Sequence, residues 1–418
     1  MSVLVIGSGG REHAICHTLA KSPHVNKLYC LPGNAGIAEI AECHPIGVMD
    51  FDAILQFLAD HPDIDMTVVA PDDPLAAGLV DRLQDAGYRA FGPRANAAII
   101  EASKAFSKQL MMRYGIPTAE YREFSDYDAL RTYLESAQYP LVVKADGLAL
   151  GKGVVICQTR EEGLTAAKDM MVDKKFASAG NIVIVEEFMT GPEVSILCFT
   201  DGKTIVPMIS SQDHKRAFDN DKGLNTGGMG TFAPSKLYTS ELAREVYDTI
   251  IVPTIRAMAQ EGREFRGVLY FGLMLTPNGV RVLEYNARFG DPETQVVLPL
   301  LESDLYEIFN AIIDGKLDTC PIRWSDDACV CVIVASGGYP QSYRKGLPIQ
   351  IGKLDDDIML FHAGTAMRDG QLVTNGGRVI GVTARGKDIA SAREKAYRNV
   401  KQISFDGMFY RSDIGIKR

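Results

Sequence analysis

The sequence predicts an α/β and α+β multidomain protein, and three observations carry that prediction. Its 418 residues exceed what one ordinary core holds and fit two to four packed units. Residues 1 to about 100 alternate short apolar runs with helical stretches, the pattern of a parallel sheet with helices on both faces. Beyond about 115 the dominant pattern becomes strand, glycine-rich turn, strand.

Taken in order, 2-SVLVIG-7, 27-KLYCLP-32, 66-MTVVAP-71 and 89-RAFGP-93 are expected as parallel strands, with 10-GREHAICHTLAKS-22 as the first crossover helix. The opening MSVLVIGSGG lacks a basic segment and a cleavage-like site, so it is expected as a first strand and not a signal peptide. A helix over 101–115 leads into a second unit with strands at 141–146, 153–157 and 182–188 and a helix at 161–171. A third unit holds strands at 193–202, 205–211, 266–276 and 280–286, a polar loop at 211–230 and a helix from about 239 to 261. A fourth begins with 328-ACVCVIVASGGYP-340. The expected domains are therefore 1–103, 104–189, 190–325 and 326–418.

Composition narrows the function. Hydrophobic residues are 46% and charged residues 23%, a globular profile. No apolar run approaches the ~20 residues that span a bilayer, so no membrane partner is expected. The net charge is −9 and no basic stripe with interleaved aromatics occurs, which argues against a nucleic-acid partner. The eight cysteines form no C-x-x-C pair and sit mostly in apolar runs, as expected for buried free thiols in a reducing, cytoplasmic setting. A monomer is expected.

Four segments carry chemistry. In 7-GSGGREH-13, Glu12 stands where a dinucleotide fingerprint needs its third glycine, and the second strand ends in Leu-Pro-Gly instead of an acid, so a nicotinamide cofactor is disfavoured. The N–H groups of residues 8–10 can hold a phosphate; a tight turn without a ligand fits as well. In 144-KADGLALGKGVVI-156, Lys144 on a strand and Lys152 in a loop with Gly151 and Gly153 suit a polyphosphate, although a hairpin with solvated lysines reads the same way. In 183-VIVEEFMTGPEVSI-196, the Glu186–Met189 stretch, including Glu187, can frame an adenine while Glu193 meets ribose hydroxyls. A linker with exposed acids is the alternative. The 212–230 segment is too polar and too long for a mere connection.

The stretch 283-LEYNARFGDPETQ-295 completes the set. Glu284 and Asn286 lie two apart on a strand and project together as hard oxygen donors, which suits magnesium bound to phosphates. Arg288 can stabilise charge on a phosphoryl group in transfer.

Together GSGGREH, KADGLALGKGV, VEEFMTGPEVS, NTGGMG and EYNARFGDPETQ, in this order, resemble the glycinamide ribonucleotide synthetases of the ATP-grasp superfamily, and the resemblance spans essentially the whole chain. It implies an N-terminal parallel-sheet domain preceding a two-part ATP-grasp fold with a mobile lid, and a small C-terminal α+β domain. The implied reaction joins glycine to 5-phosphoribosylamine with ATP, through a glycyl phosphate; another ATP-grasp carboxylate–amine ligase with a different acceptor is the alternative. By resemblance and chemistry together, Lys104, Lys144, Lys152, Gly151 and Gly153 hold ATP phosphates. Glu186, Glu187 and Met189 flank the adenine and Glu193 takes the ribose. Glu284 and Asn286 bind magnesium or manganese. Lys144, Asp213 and Arg288 are the catalytic candidates, and Asp291, Pro292, Asn225, Thr226 and Gly227 join Asp213 and Arg288 around glycine. Gly9, Gly10, Arg11 and Asp72 lie near the phosphoribosylamine. Asp72 departs from the family's usual glutamate.

Overall fold

The computed structural model describes residues 1–148 and 153–416. Strands β1 (Ser2–Gly7), β2 (Lys27–Pro32), β3 (Glu42–Cys43), β4 (Ile64–Val69) and β5 (Ala90–Phe91) form one sheet in the order β3-β2-β1-β4-β5, every pair parallel as expected. All six residues of β1 are buried, which explains its unbroken apolar run: both faces are covered. Helix α1 (Gly10–Leu19) starts directly off its end. The carboxyl ends of β1 and β4 thus place residues 8–11 and 70–74 along one edge, where ligands collect in such sheets.

The expected helix over 101–115 is two helices, Ala95–Ala102 and Lys104–Arg113. Ser103 breaks them with extended backbone and caps the second, its hydroxyl oxygen accepting from the Phe106 N–H at 3.0 Å. Asp146 secures the break by accepting from the Ser103 hydroxyl and from the Ala105 N–H at 3.0 Å. Lys104 consequently starts a helix instead of lying inside one.

Strands β6 (Tyr121–Phe124), β7 (Leu141–Ala145), β8 (Val154–Cys157) and β9 (Val183–Glu187) make an antiparallel sheet in the order β6-β9-β7-β8. Leu130, Leu134, Ala167 and Met170 of two helices pack on its Val143 and Val185 face. A second antiparallel sheet has the order β11-β10-β16-β17, from β10 (Glu193–Thr200), β11 (Ile205–Pro207), β16 (Gly267–Thr276) and β17 (Gly279–Asn286). The strand expected over 205–211 ends at Pro207, whose nitrogen has no hydrogen to donate; pairing resumes only as a bridge between Ser195 and Ser211. The helix expected over 239–261 runs from Ser240 to Gln260 with a π turn at Tyr247–Ile251. Pro253 follows it, and the wider turn accommodates the missing donor.

The polar 212–230 segment is built, not loose. Gln212–Asp213 is β12, Arg216–Phe218 and Lys222–Asn225 pair as the hairpin β13–β14, and Gly230–Ala233 is β15. The last sheet has the order β12-β15-β18-β23-β20, where β18 is Ala328–Ala335, β20 is Met359–His362 and β23 is Arg378–Gly386. It therefore combines strands from both sides of residue 325. Helix Ile389–Val400 covers its other face through Ala392, Ala396 and Val400. All eight cysteines are free thiols, and no helix among the described residues is long and apolar enough to cross a membrane.

Candidate functional site

Lys144 on β7 and Glu186 on β9 face each other, as the antiparallel pairing of these strands allows. The Lys144 ammonium donates to Glu186 Oε2 at 2.9 Å, and Lys108, from the helix capped by Ser103, reaches the same oxygen at 3.2 Å. Glu186, expected against an adenine, is thus the buried anion of a two-lysine cluster. Its other oxygen, Oε1, is buried without a hydrogen-bond partner among the described residues. Burial pushes the Lys108 ammonium down to about 8, against the pull of Glu186. Lys104 donates to the Gly147 carbonyl at 2.7 Å. Glu187 is committed elsewhere: it pairs with Arg281 and accepts from the Glu120 N–H at 3.0 Å. Met189 packs with Ala119, Met274 and Leu283, an apolar patch separate from the main cores. Gly151 and Lys152 lie outside the described residues. Gly153 enters β8, its carbonyl accepting from the Ala145 N–H at 2.8 Å.

Strand β17 presents the acids opposite. A bulge lets Glu284 pair with Gly272 while Val282 pairs with Leu273, leaving Leu283 as the extra residue. The shift keeps Val280, Val282 and Tyr285 buried and turns Glu284 and Asn286 to the open side. The Lys215 ammonium stands 3.1 Å from Glu193 and 3.2 Å from Glu284. Lys215 first, with Lys144 and Lys104 behind it, holds the Glu284 carboxyl down to about 2 against the effect of burial. Asn286 Oδ1 accepts from Arg288 at 3.1 Å, and Arg288 pairs with buried Glu101 at 2.8 Å. Glu101 also accepts the Ala287 N–H at 2.7 Å. Arg288 Nε is buried without a hydrogen-bond partner among the described residues, and the charge of Asp72 reaches Arg288.

The 212–230 segment closes on the same place. Gly228 (φ +112°) lies so near Asp213 and Pro292 that a side chain there would meet Asp213 Oδ1 at 2.7 Å and Pro292 closer still. Thr226 hydroxyl and N–H both bind the Lys215 carbonyl at 2.8 Å. The Gly227 N–H donates to Tyr339 at 3.0 Å, while Arg378 donates to the Gly227 carbonyl at 2.6 Å and pairs with Asp291 at 3.1 Å. Burial works against the Asp291 charge, but Arg378 and Arg11 hold its carboxyl below the usual range. Asn225 pairs with Arg216 across the hairpin.

At the N-terminal edge, Arg11 donates to the Phe289 carbonyl at 3.2 Å. Glu12, expected only to crowd the helix contact, folds back and accepts the Gly9 N–H at 2.5 Å. The cradle expected at residues 8–10 therefore has its Gly9 donor already taken. Gly10 lies against Gln295: a side chain on it would meet Gln295 Nε2 at 2.6 Å.

Sequence reasoning missed Lys108, Glu101 and Arg378. The first two read as ordinary helix residues, and only their burial marks them: Lys108 is 2% and Glu101 9% exposed. Among the described residues no cluster of three or more His, Cys, Asp or Glu could hold a metal. Magnesium needs only one or two protein oxygens beside phosphate and water, and the ionised Glu284 with the Asn286 carbonyl meets that need. A lysine ammonium beside Glu284 shows that the site already stabilises positive charge.

Two antiparallel sheets that face lysines and acids into one cleft, behind a parallel N-terminal sheet, define an ATP-grasp protein. Models of the N domain, ATP-grasp (A) domain and C domain of phosphoribosylglycinamide synthetase match residues 1–101, 102–294 and 329–417. The chain belongs to the phosphoribosylglycinamide synthetase family. It is 46% identical to the phosphoribosylamine–glycine ligase of Halalkalibacterium halodurans, over 100% of this chain and 97% of that one. It is 50% identical to the trifunctional purine biosynthetic protein adenosine-3 of Gallus gallus, over 99% of this chain and 42% of that one. The crystal structure of Thermotoga maritima phosphoribosylamine–glycine ligase superposes with a TM-score of 0.85 at 34% identity, covering 99% and 100% of the two chains. A biotin carboxylase domain from Hydrogenobacter thermophilus, at 16% identity over 98% of this chain and 91% of its own, shares the fold with a TM-score of 0.75.

Proposed function

We propose that this chain ligates glycine to 5-phosphoribosylamine with ATP, giving glycinamide ribonucleotide, ADP and phosphate, as a cytoplasmic, monomeric enzyme of purine biosynthesis. A carboxylate resists amines because oxide is a poor leaving group. Glycine's carboxylate oxygen therefore first attacks the γ-phosphorus, the bond to the β-phosphate oxygen breaks, and ADP leaves. The amine nitrogen of phosphoribosylamine then attacks the acyl carbon, the carbon–oxygen bond to phosphate breaks, and the amine gives up a proton as phosphate departs.

The residues divide this work. Lys104, Lys144 and Lys152 hold the phosphates; Met189 and its apolar neighbours face the adenine, and Glu186 Oε1 offers it an acceptor. Glu193 takes the ribose hydroxyls. Glu284 and Asn286 would hold magnesium or manganese, which when bound neutralises charge on the β- and γ-phosphate oxygens. Arg288, kept in place by Glu101, stabilises the transferring phosphoryl group. Asp213, Asp291 and the 225–228 turn orient glycine, and Arg11 and Asp72 stand towards the phosphoribosylamine. Excluding water matters because an acyl phosphate hydrolyses.

The observation that supports this reading best is the Lys215 ammonium 3.2 Å from the Glu284 carboxylate, a cation already held where the reading places the metal. The test is ADP release with ATP and Mg²⁺, with and without glycine and fresh phosphoribosylamine. Release that needs both supports the ligase, and release indifferent to them refutes it. Glu284→Gln should lower release at least ~100-fold with the fold intact.

A further inference from the structure

Lys215 is bound to both of the acids that the proposed function assigns to other partners, Glu193 to ribose and Glu284 to metal. Its ammonium lies 3.1 Å from the first and 3.2 Å from the second. Among the described residues, Lys144 is engaged with Glu186 at 2.9 Å and Lys104 with the Gly147 carbonyl at 2.7 Å. Two carboxylates in one cleft repel, and Lys215 is the cation set between them. Lys215, Glu193 and Glu284 are 32%, 40% and 44% exposed, so incoming ligands can reach all three side chains.

The backbone below is pinned. Thr226 binds the Lys215 carbonyl twice at 2.8 Å, and Arg411 donates to the Arg216 carbonyl at 3.0 Å. Only the long, flexible side chain can swing. We propose that Lys215 is a stand-in cation that becomes a catalytic residue: it holds Glu193 and Glu284 until ribose and a divalent ion claim them, then turns to the reacting oxygens. The exchange follows from charge. When both acids are taken, the ammonium has lost its partners just as the cleft gains γ-phosphate and substrate carboxylate oxygens within reach. It stays protonated throughout and neutralises charge where the phosphoryl group moves to the carboxylate. No proton is transferred.

This inference rests on the ligase reading and on Glu284 as a metal ligand, so its test separates the three. Mn²⁺ is titrated by electron paramagnetic resonance into the protein without nucleotide. Lys215→Met, relieved of the competing charge, should bind Mn²⁺ about tenfold more tightly than wild type, whereas Lys215→Arg should match wild type. Lys215→Gln serves as a second neutral variant with a polar head. With ATP and Mg²⁺ present, both neutral variants should lose glycine-dependent kcat about 100-fold while KM for ATP stays within about threefold. Unchanged Mn²⁺ affinity in both neutral variants overturns the stand-in role, and an unchanged kcat overturns the catalytic one. Glu284→Gln is measured for Mn²⁺ binding in the presence of ATP. If that affinity does not fall, the metal assignment fails and carries this inference with it; if it falls while the Lys215 variants behave as wild type, only the inference fails.

Discussion

Replacing Arg411 by alanine should unseat the β13–β14 hairpin of the 212–230 segment, at a cost that follows from its contacts. The side chain is 1% exposed, the largest fully buried one among the described residues. Its Nε and Nη2 both meet the Asp413 carboxylate at 2.7 Å, and Nη1 reaches Asp221 at 2.9 Å and the Arg216 carbonyl at 3.0 Å. Asp413 and Asp221 are 24% and 60% exposed, so both return to water when the guanidinium goes, and the penalty of a stranded buried charge is not incurred in full. The Asp221 link is worth under ~1 kcal/mol. The forked Asp413 contact and the backbone bond bring the expected loss to about 3–4 kcal/mol.

The assay is urea unfolding followed alongside glycine-dependent kcat/KM, which should fall while ATP binding persists. Asp221→Asn, which cuts only the exposed link, should shift the midpoint far less. Arg411→Lys should fall between, because a lysine keeps the charge but not the fork. An Arg411→Ala protein no less stable than Asp221→Asn would refute the reasoning.

Two further outcomes are expected. Gly228→Ala should fold but lose at least ~100-fold in kcat, since its left-handed backbone and the nearness of Asp213 and Pro292 leave no room for a methyl group; near-normal turnover would show that the 225–230 turn does not set the site. Buried His13 and His362, where the His362 N–H donates to His13 Nδ1 at 2.9 Å, are pushed down to about 3 and about 4, chiefly by burial. The unfolded chain takes up these protons below about pH 6.5 and the folded one does not, so stability should fall from pH 6.5 towards 4, by up to ~1.4 kcal/mol per pH unit for each histidine. Urea midpoints at pH 7, 6 and 5 test this: His13→Gln should flatten the slope, and a flat wild-type profile refutes it.

The sequence made the N-terminal sheet legible because its strands are continuous apolar runs ending in glycine or proline, and a strand buried on both faces has no other way to read. Glu284 and Asn286 were legible from their spacing, even though the bulge at Leu283, invisible in a one-dimensional pattern, sets which way they point. The break at Ser103 was hidden because its second support, Asp146, comes from another segment. Lys108, Glu101, Arg378 and Arg411 were hidden for the same reason. A charged residue reads as solvent-facing until its partner is known, and Glu186, Arg288, Asp291 and Asp413 identify themselves as partners only in space.

The sheet that takes β12 and β15 from one stretch of chain and β18, β20 and β23 from another makes the last ninety or so residues a poor candidate for independent life. Severed near 325, β18 would show a bare, apolar edge along the side where Gly230–Ala233 had paired, an invitation to aggregate. The much longer Gallus gallus protein matches 99% of this chain, with the residues on both sides of 325 included.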